Sequence, residues 1–278
     1  MLISDFKKKF YQDLSDFYNK KSLGYLYKIS LINICDIKEH EIIINNYFIK
    51  KPEISIFEKV IERLKRQEPI EYIFNHTYFL NNKIVLNNHV FIPRPETEEL
   101  VDWIIKEEKE KENLKIVDIC TGSGCIALSL GKKTKHEIIA IEKSIHAVKI
   151  AKQNFEIHDL KIKCIHADIF NFDLDKDIDI IVSNPPYVPT DEKNFMSSNV
   201  LRYEPHLAIF VDKKNPLLFY ERILFMSKNN INKKVIIYFE IHENLKNEIE
   251  NLIISYKVKN YIFKKDFYNK FRMVKIQM

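Results

Sequence analysis

From Lys115 onward, short apolar runs alternate with segments of helical period, and this restricts the fold more than any other feature of the chain. Lys115-Ile-Val-Asp-Ile119 reads as a buried strand, followed by a helix from about Gly124 to Lys132. Glu137 to Ile141 predicts a strand and Ser144 to Phe155 a helix, with further strands over Ile162 to Ile165 and Ile178 to Val182. Leu217 to Ser227 predicts a helix, Val235 to Phe239 a strand and Asn244 to Ile254 a helix. Such alternation implies an α/β fold, a seven-stranded, mostly parallel sheet with helices on both faces. Val258 to Phe263 and Phe271 to Ile276 leave no room for a helix between them, so one antiparallel strand is expected at the end.

The first part of the chain has a different period. Phe6, Phe10, Leu14, Phe17 and Tyr18 recur at helical spacing, as do Ile56, Val60, Ile61 and Leu64. Ser55 with Glu58 reads as a capping box opening the later helix. Residues 1–75 are therefore expected to form a small all-helical domain of four or five short helices. Tyr78-Phe79-Leu80, the pair Asn81-Asn82 and Lys83 to Leu86 read as a β-hairpin, so 76–94 is expected to link this domain to one over 95–278. Pro95, Glu96 and Glu98 suit the first turn of a helix, where proline and acidic side chains are both favoured.

Composition narrows the function classes. With 46% hydrophobic and 30% charged residues over 278 positions, a packed core is within reach. No stretch approaches the roughly 18 to 20 apolar residues of a membrane-spanning helix. Met1 to Phe10 carries Asp5 and Lys7 to Lys9 with no apolar run ahead of a cleavage site, so no signal peptide is expected and the cytoplasm is the expected compartment. Cys35, Cys120, Cys125 and Cys164 form no C-x-x-C pair, which argues for free thiols and against zinc. The net charge of +5, from 44 basic and 39 acidic residues, is spread along the chain and does not describe a dedicated nucleic-acid binder. Only four glycines are present, where average usage would give roughly 20. Asparagine pairs such as Asn45-Asn46 can fill ordinary turns. Gly122 and Gly124 stand together, which suggests that the backbone requires them.

Those two glycines close a strand and open a helix in Val117-Asp-Ile-Cys120-Thr121-Gly122-Ser123-Gly124. A turn of this kind lets a ligand approach backbone N–H groups at a helix N-terminus. Glu142 ends the next strand, where a carboxylate can accept hydrogen bonds from a ribose diol. Asp168, after the third strand, is placed to meet an adenine amino group. Ala127 takes the place of a dinucleotide fingerprint's third glycine, and no hydride-transfer catalytic set stands out. A nucleoside ligand is the resulting expectation.

Asn184-Pro185-Pro186-Tyr187 follows the strand ending at Val182, at the carboxyl edge where open α/β sheets bind ligands. Two successive prolines stiffen the loop and remove two donors. The side-chain carbonyl of Asn184 and the backbone carbonyl of Pro185 can accept both hydrogens of a substrate –NH2, while Tyr187 offers a ring face to a planar group. The chemistry expected is methyl transfer from a sulfonium, with positioning as the chief contribution and no metal. A glutamine amide and a flipped nucleobase would both fit this grip.

The loop Asp118 to Gly124 together with Asn184 to Tyr187 resembles the class I methyltransferases that act on planar nitrogen. Ile92-Pro-Arg-Pro-Glu-Thr-Glu98, Arg202-Tyr-Glu-Pro205 and Phe239-Glu-Ile-His242 narrow the resemblance to the peptide chain release factor glutamine N5-methyltransferases, and it covers nearly the whole chain. The resemblance implies methylation of the glutamine amide in the Gly-Gly-Gln loop of class I release factors. It also implies S-adenosylmethionine contacts from Cys120, Thr121, Gly122, Ser123, Gly124, Glu142, Asp168, Ile169 and Asn184. Substrate contacts would come from Asn184, Pro185, Pro186 and Tyr187, with Asn184, Pro185 and Tyr187 catalytic. Arg94, Glu96 and Glu98 would flank the cofactor pocket in support. The release factor is the expected partner of a monomer that binds no membrane and no nucleic acid directly.

The chain departs from the family pattern at several positions. Cys120 holds the place of the loop's first glycine, where cysteine fits with a negative φ but narrows the pocket. Glu142 replaces the usual aspartate, and Ile169 makes the adenine wall aliphatic where the family has a nearby tryptophan. Asn230-Ile231-Asn232 and Tyr268-Asn269-Lys270 replace glycine-rich turns. These departures also motivate a rival reading, a non-catalytic binding module, beside a DNA or rRNA exocyclic-amino methyltransferase.

Overall fold

The computed structural model describes every residue except 45–46, 109 and 231–233. The turns expected at Asn45-Asn46 and Ile231-Asn232 lie outside the described residues. The chain divides into two compact units, Met1–Asn75 and His76–Met278.

The first unit contains α1 (Ile3–Leu14), α2 (Lys20–Cys35), α3 (Glu39–Ile44), α4 (Lys51–Lys65) and α5 (Ile70–Phe74). Ile3, Phe6, Phe10 and Leu14 place one face of α1 against Phe57 and Leu64 of α4 and Leu31 of α2. Phe6 and Phe57 pack as a tilted pair with ring centroids 4.4 Å apart, and burial of each such ring contributes about 2 to 3 kcal/mol. Helix α4 starts four residues before the expected Ser55. The carboxylate of Glu53 accepts the Lys50 N–H at 2.7 Å, and Pro52 sits in the first turn, where its missing donor costs nothing. Ile56 consequently faces outward, and Phe57 takes its place in the core.

The second unit opens with a hairpin, β1 (His76–Phe79) and β2 (Asn82–Val85). Its two-residue turn is Leu80-Asn81, one position before the expected Asn81-Asn82, with φ of 45° and 63°. A tight hairpin needs both central residues left-handed. Leucine is held there because its N–H donates to Glu98 Oε1 at 2.7 Å. Asn82 is instead buried, within reach of Ser129.

Helix α6 (Pro95–Glu108) leads into β3 (Lys115–Ile119), α7 (Cys125–Lys133), β4 (Glu137–Glu142), α8 (Ile145–Ile157), β5 (Lys163–His166) and β6 (Ile180–Ser183). A short excursion follows through β7 (Val188–Pro189), α9 (Ser198–Tyr203) and β8 (Phe210–Val211). The chain then completes the sheet with α10 (Leu218–Asn230), β9 (Ile236–Glu240), α11 (Lys246–Ser255), β10 (Asn260–Lys265) and β11 (Phe271–Gln277). The sheet order is β10-β11-β9-β6-β3-β4-β5. The last strand is the antiparallel one, as expected, and it lies between β9 and β10. A short connection forces β11 back alongside β10, and its apolar residues Met273, Val274 and Ile276 are buried only in an interior position.

This topology delivers the functional segments to one place. β3, β4, β5, β6 and β9 run parallel, so the residues following each emerge at the same edge. Because β11 runs the other way, its beginning, at Arg272, reaches that edge too.

Candidate active site

A cavity of about 460 Å³ opens at this edge. One wall comes from Cys120, Thr121, Gly122, Ser123, Glu142, Asp168 and Ile169, and another from Asn184, Pro185, Pro186 and Tyr187. Gly124 does not line it.

The glycine loop begins with a reversal at Cys120, whose φ is 62°. This is the left-handed region, contrary to the negative φ under which cysteine was expected to fit. The turn carries the chain off β3 so that the Thr121 N–H still reaches Ile141 O at 3.2 Å while the Gly122 N–H meets Glu142 Oε2 at 3.0 Å. A left-handed non-glycine residue costs about 1 to 2 kcal/mol, and such strain is characteristic of ligand sites. Burial pushes the Cys120 thiol up, with Glu142 adding to the effect. Gly122 and Gly124 are also left-handed, at φ of 57° and 81°. A Cβ on Gly124 would sit 2.7 Å from Phe155 Cε1, so this glycine serves the packing of the loop on α8. Asn154, buried on the same helix, donates to Ser123 O at 2.9 Å and pairs with the backbone of Val85.

Glu142 accepts the Gly122 N–H through Oε2 and the Ser144 N–H, at 2.8 Å, through Oε1. Each oxygen retains a lone pair for a ligand hydroxyl. Asp168 accepts the Phe170 N–H at 3.1 Å and pairs with Lys143 Nζ at 2.8 Å. Burial alone would raise the Asp168 carboxyl, but these partners hold it below its ordinary value.

The tetrapeptide is held by groups from the other sequence segments. Asn184 Nδ2 donates to Thr97 Oγ1 at 3.2 Å. Thr97 Oγ1 donates to Glu240 Oε2 at 2.6 Å, and Tyr187 Oη donates to Glu240 Oε1 at 3.0 Å. Glu240 is buried, which raises its carboxyl, and burial likewise raises the Tyr187 phenol. The backbone carbonyl of Glu240 accepts the Tyr220 hydroxyl at 3.0 Å. Ser183, the last residue of β6, donates to Ile119 O at 2.6 Å and satisfies a carbonyl left free where the chain turns away from β3.

Arg94 and Glu96 line the cavity, with Arg94 paired to buried Glu204, whereas Glu98 turns to the hairpin. The excursion between β7 and β8 adds Met196, Val200, Leu207 and Ile209 to the wall. Sequence reading missed Thr97 and Glu240 as parts of the site, as well as Asn154 and this apolar wall. Thr97 and Glu240 lie inside the segments Ile92 to Glu98 and Phe239 to His242; a charged residue closing an apolar strand was the available signal for Glu240. Among the described residues, no group of histidine, cysteine or acidic side chains could hold a metal, and no helix is long and apolar enough to cross a membrane.

Comparisons with known proteins agree with this architecture. Residues 97–203 match the family model described as the methyltransferase small domain. A release factor glutamine methyltransferase of Flavobacterium psychrophilum is 39% identical over 282 residues, covering 99% of each chain. A protein of the same name from Bacteroides thetaiotaomicron is 39% identical over 220 residues, covering 78% of each. Among solved structures, the hMettl16 catalytic domain, in complex with MAT2A 3'UTR hairpin 6, aligns with a TM-score of 0.54 at 16% identity. That alignment covers 77% of this chain and 91% of the other, and it supports the class I methyltransferase fold alone. By its near-full-length identity to such relatives, the chain belongs to the release factor glutamine methyltransferase family.

Proposed function

We propose that this protein transfers a methyl group from S-adenosylmethionine to the side-chain amide nitrogen of the glutamine in the Gly-Gly-Gln loop of class I peptide chain release factors. The observation that carries the reading is the shared cavity, with the nucleoside-type wall of Gly122 and Glu142 on one side and the Asn184 to Tyr187 grip on the other. Family membership favours a release factor over nucleic acid as the substrate.

The residues present fit the methyl donor. Glu142 retains acceptors for the ribose diol, Ile169 and Ala147 offer an aliphatic wall to adenine, and Asp168 keeps an acceptor for its amino group. When bound, the donor supplies a methyl group on a sulfonium, which leaves as a neutral thioether. Asn184 Oδ1 and the Pro185 carbonyl accept the two N–H hydrogens of the substrate amide, which turns the nitrogen lone pair toward the methyl group. One N–H bond breaks as the N–C bond forms, and that proton passes to water. An amide nitrogen is a weak nucleophile, so orientation contributes more than a base would, and positioning of this kind accounts for several kcal/mol of a barrier.

We assign the helical unit, Met1–Asn75, to recognition of the release factor, and the enzyme to the cytoplasm as a monomer that needs neither metal nor nucleic acid. The test is incubation with methyl-labelled S-adenosylmethionine and either a release factor or nucleic acid. Label is expected in the release factor alone. Label in nucleic acid alone would establish the exocyclic-amino reading instead.

A further inference from the structure

The hydrogen-bond network behind the grip has a direction. Thr97 has one hydroxyl hydrogen and gives it to Glu240 Oε2, so toward Asn184 it can only accept. The Asn184 side chain must therefore turn its NH2 to Thr97 and its carbonyl to the cavity. Tyr187 also has one hydroxyl hydrogen, and it too goes to Glu240, at Oε1. Pro185 and Pro186 have no N–H to offer. The Val188 N–H is committed to Ile209 O at 3.0 Å. Thr97 and Glu240 are both buried, so water does not compete for these bonds.

From this geometry we infer that Glu240, by taking the hydroxyl hydrogens of Thr97 and Tyr187, turns the Asn184 carbonyl to the cavity and makes the grip select a nitrogen bearing hydrogens over a carboxylate oxygen. Glu240 and Thr97 are positioning residues: neither needs to touch the substrate. The inference rests on the proposed glutamine substrate and deepens it. A glutamate in the same loop position would meet acceptors at Asn184 Oδ1 and the Pro185 carbonyl, which a glutamine amide satisfies and a carboxylate does not. Groups committed in this way discriminate strongly, because a mismatched partner leaves buried polar atoms unpaired.

Thr97→Val removes the hydroxyl at nearly constant volume and frees the Asn184 amide to flip. We expect kcat on the release factor to fall about tenfold or more, the rate equivalent of ~1.4 kcal/mol. S-adenosylmethionine affinity should stay within about twofold. The binding preference for the Gln release factor over its Gln→Glu variant should narrow by about fivefold or more, since a flipped Asn184 offers NH2 to a carboxylate. Thr97→Ser should restore both readouts, and Glu240→Gln should behave as Thr97→Val. In ligand-free protein, nitrogen-15 NMR should show one Asn184 side-chain hydrogen protected from exchange in wild type and Thr97→Ser, and exposed in Thr97→Val. An unchanged Gln over Glu preference in Thr97→Val, or a Thr97→Ser protein as impaired as Thr97→Val, would overturn the inference. So would an unprotected Asn184 amide in wild type. Failure of the wild-type enzyme to methylate any release factor would instead overturn the proposed substrate, while the NMR comparison would still decide the direction of the network.

Discussion

Arg94 Nη2 lies 2.5 Å from Glu204 Oε1, so two segments 110 residues apart close on each other at the wall of the cavity. Glu204 is buried and takes a second hydrogen bond from the Ile92 N–H at 3.3 Å, while Arg94 remains one-third exposed and stacks over Phe91. Arg94→Ala would take the Arg94 guanidinium away from the enclosed Glu204 carboxylate. After allowance for the exposure of Arg94, a loss on the order of 2 kcal/mol is expected in urea unfolding. Glu204→Gln, which removes the charge itself, should lose less. Equal stability of wild type and Arg94→Ala would show that the pair contributes nothing.

The two loop glycines should respond differently to alanine. Gly122 has φ of 57° and open space around a new Cβ, so Gly122→Ala should lose only about 1 kcal/mol. Gly124 has φ of 81°, and its Cβ would press on Phe155 and Ala151 at 2.7 and 3.2 Å. Gly124→Ala should therefore lose roughly 3 kcal/mol, from strain and overpacking together. The order of the two midpoints in denaturant checks the assignment of Gly124 to packing.

At Cys120 the direction of the effect depends on the substituent. Valine is β-branched and poorly tolerated at a φ of 62°, so Cys120→Val should lose about 2 kcal/mol or more. Glycine relieves the strain but adds about 0.5 to 1 kcal/mol of unfolded-state entropy and forfeits side-chain packing. Cys120→Gly should thus match wild-type stability within about 1 kcal/mol. With a side chain removed from the cavity wall, its affinity for S-adenosylmethionine should rise in calorimetry.

Asp118 should give a pH signature. Its carboxyl is enclosed, accepts the Thr121 hydroxyl and the Ala127 N–H through Oδ2, and has no partner at Oδ1 among the described residues. Burial, with Glu142 adding to it, pushes this group up from 3.8 to about 7. Between those values the native state holds a proton that the unfolded chain has released, so stability falls as pH rises through this window. The slope is at most about 1.4 kcal/mol per pH unit, and the cost is complete above pH 7. The stability difference between wild type and Asp118→Asn, measured without ligand, should therefore vary between pH 4 and 8. A constant difference would contradict the assignment.

Asn184→Ala should lower turnover by about a hundredfold or more, equivalent to ~2.7 kcal/mol or more of barrier, while leaving S-adenosylmethionine affinity within about threefold. Near-normal turnover would remove the basis for the amide grip.

The order of strands and helices after Lys115 was legible in the sequence because apolar period depends on local geometry: a buried parallel strand has to read as a short apolar run. Gly122, Glu142 and Asn184 to Tyr187 were legible as cavity residues for the same reason, since each closes or follows such a strand, whereas Gly124 packs the loop on α8. What local pattern did not carry was any property set by a partner distant in sequence. Leu80 adopts a left-handed turn because Glu98 holds its N–H. The last strand lies inside the sheet because its apolar face is buried there. The direction of the Asn184 amide depends on Thr97, 87 residues away, and through it on Glu240, which is 143 residues from Thr97. A hydrogen bond between buried side chains leaves no period in the sequence, so the chain alone determined which groups follow the strands into the cavity, and only the tertiary structure decided which way they face.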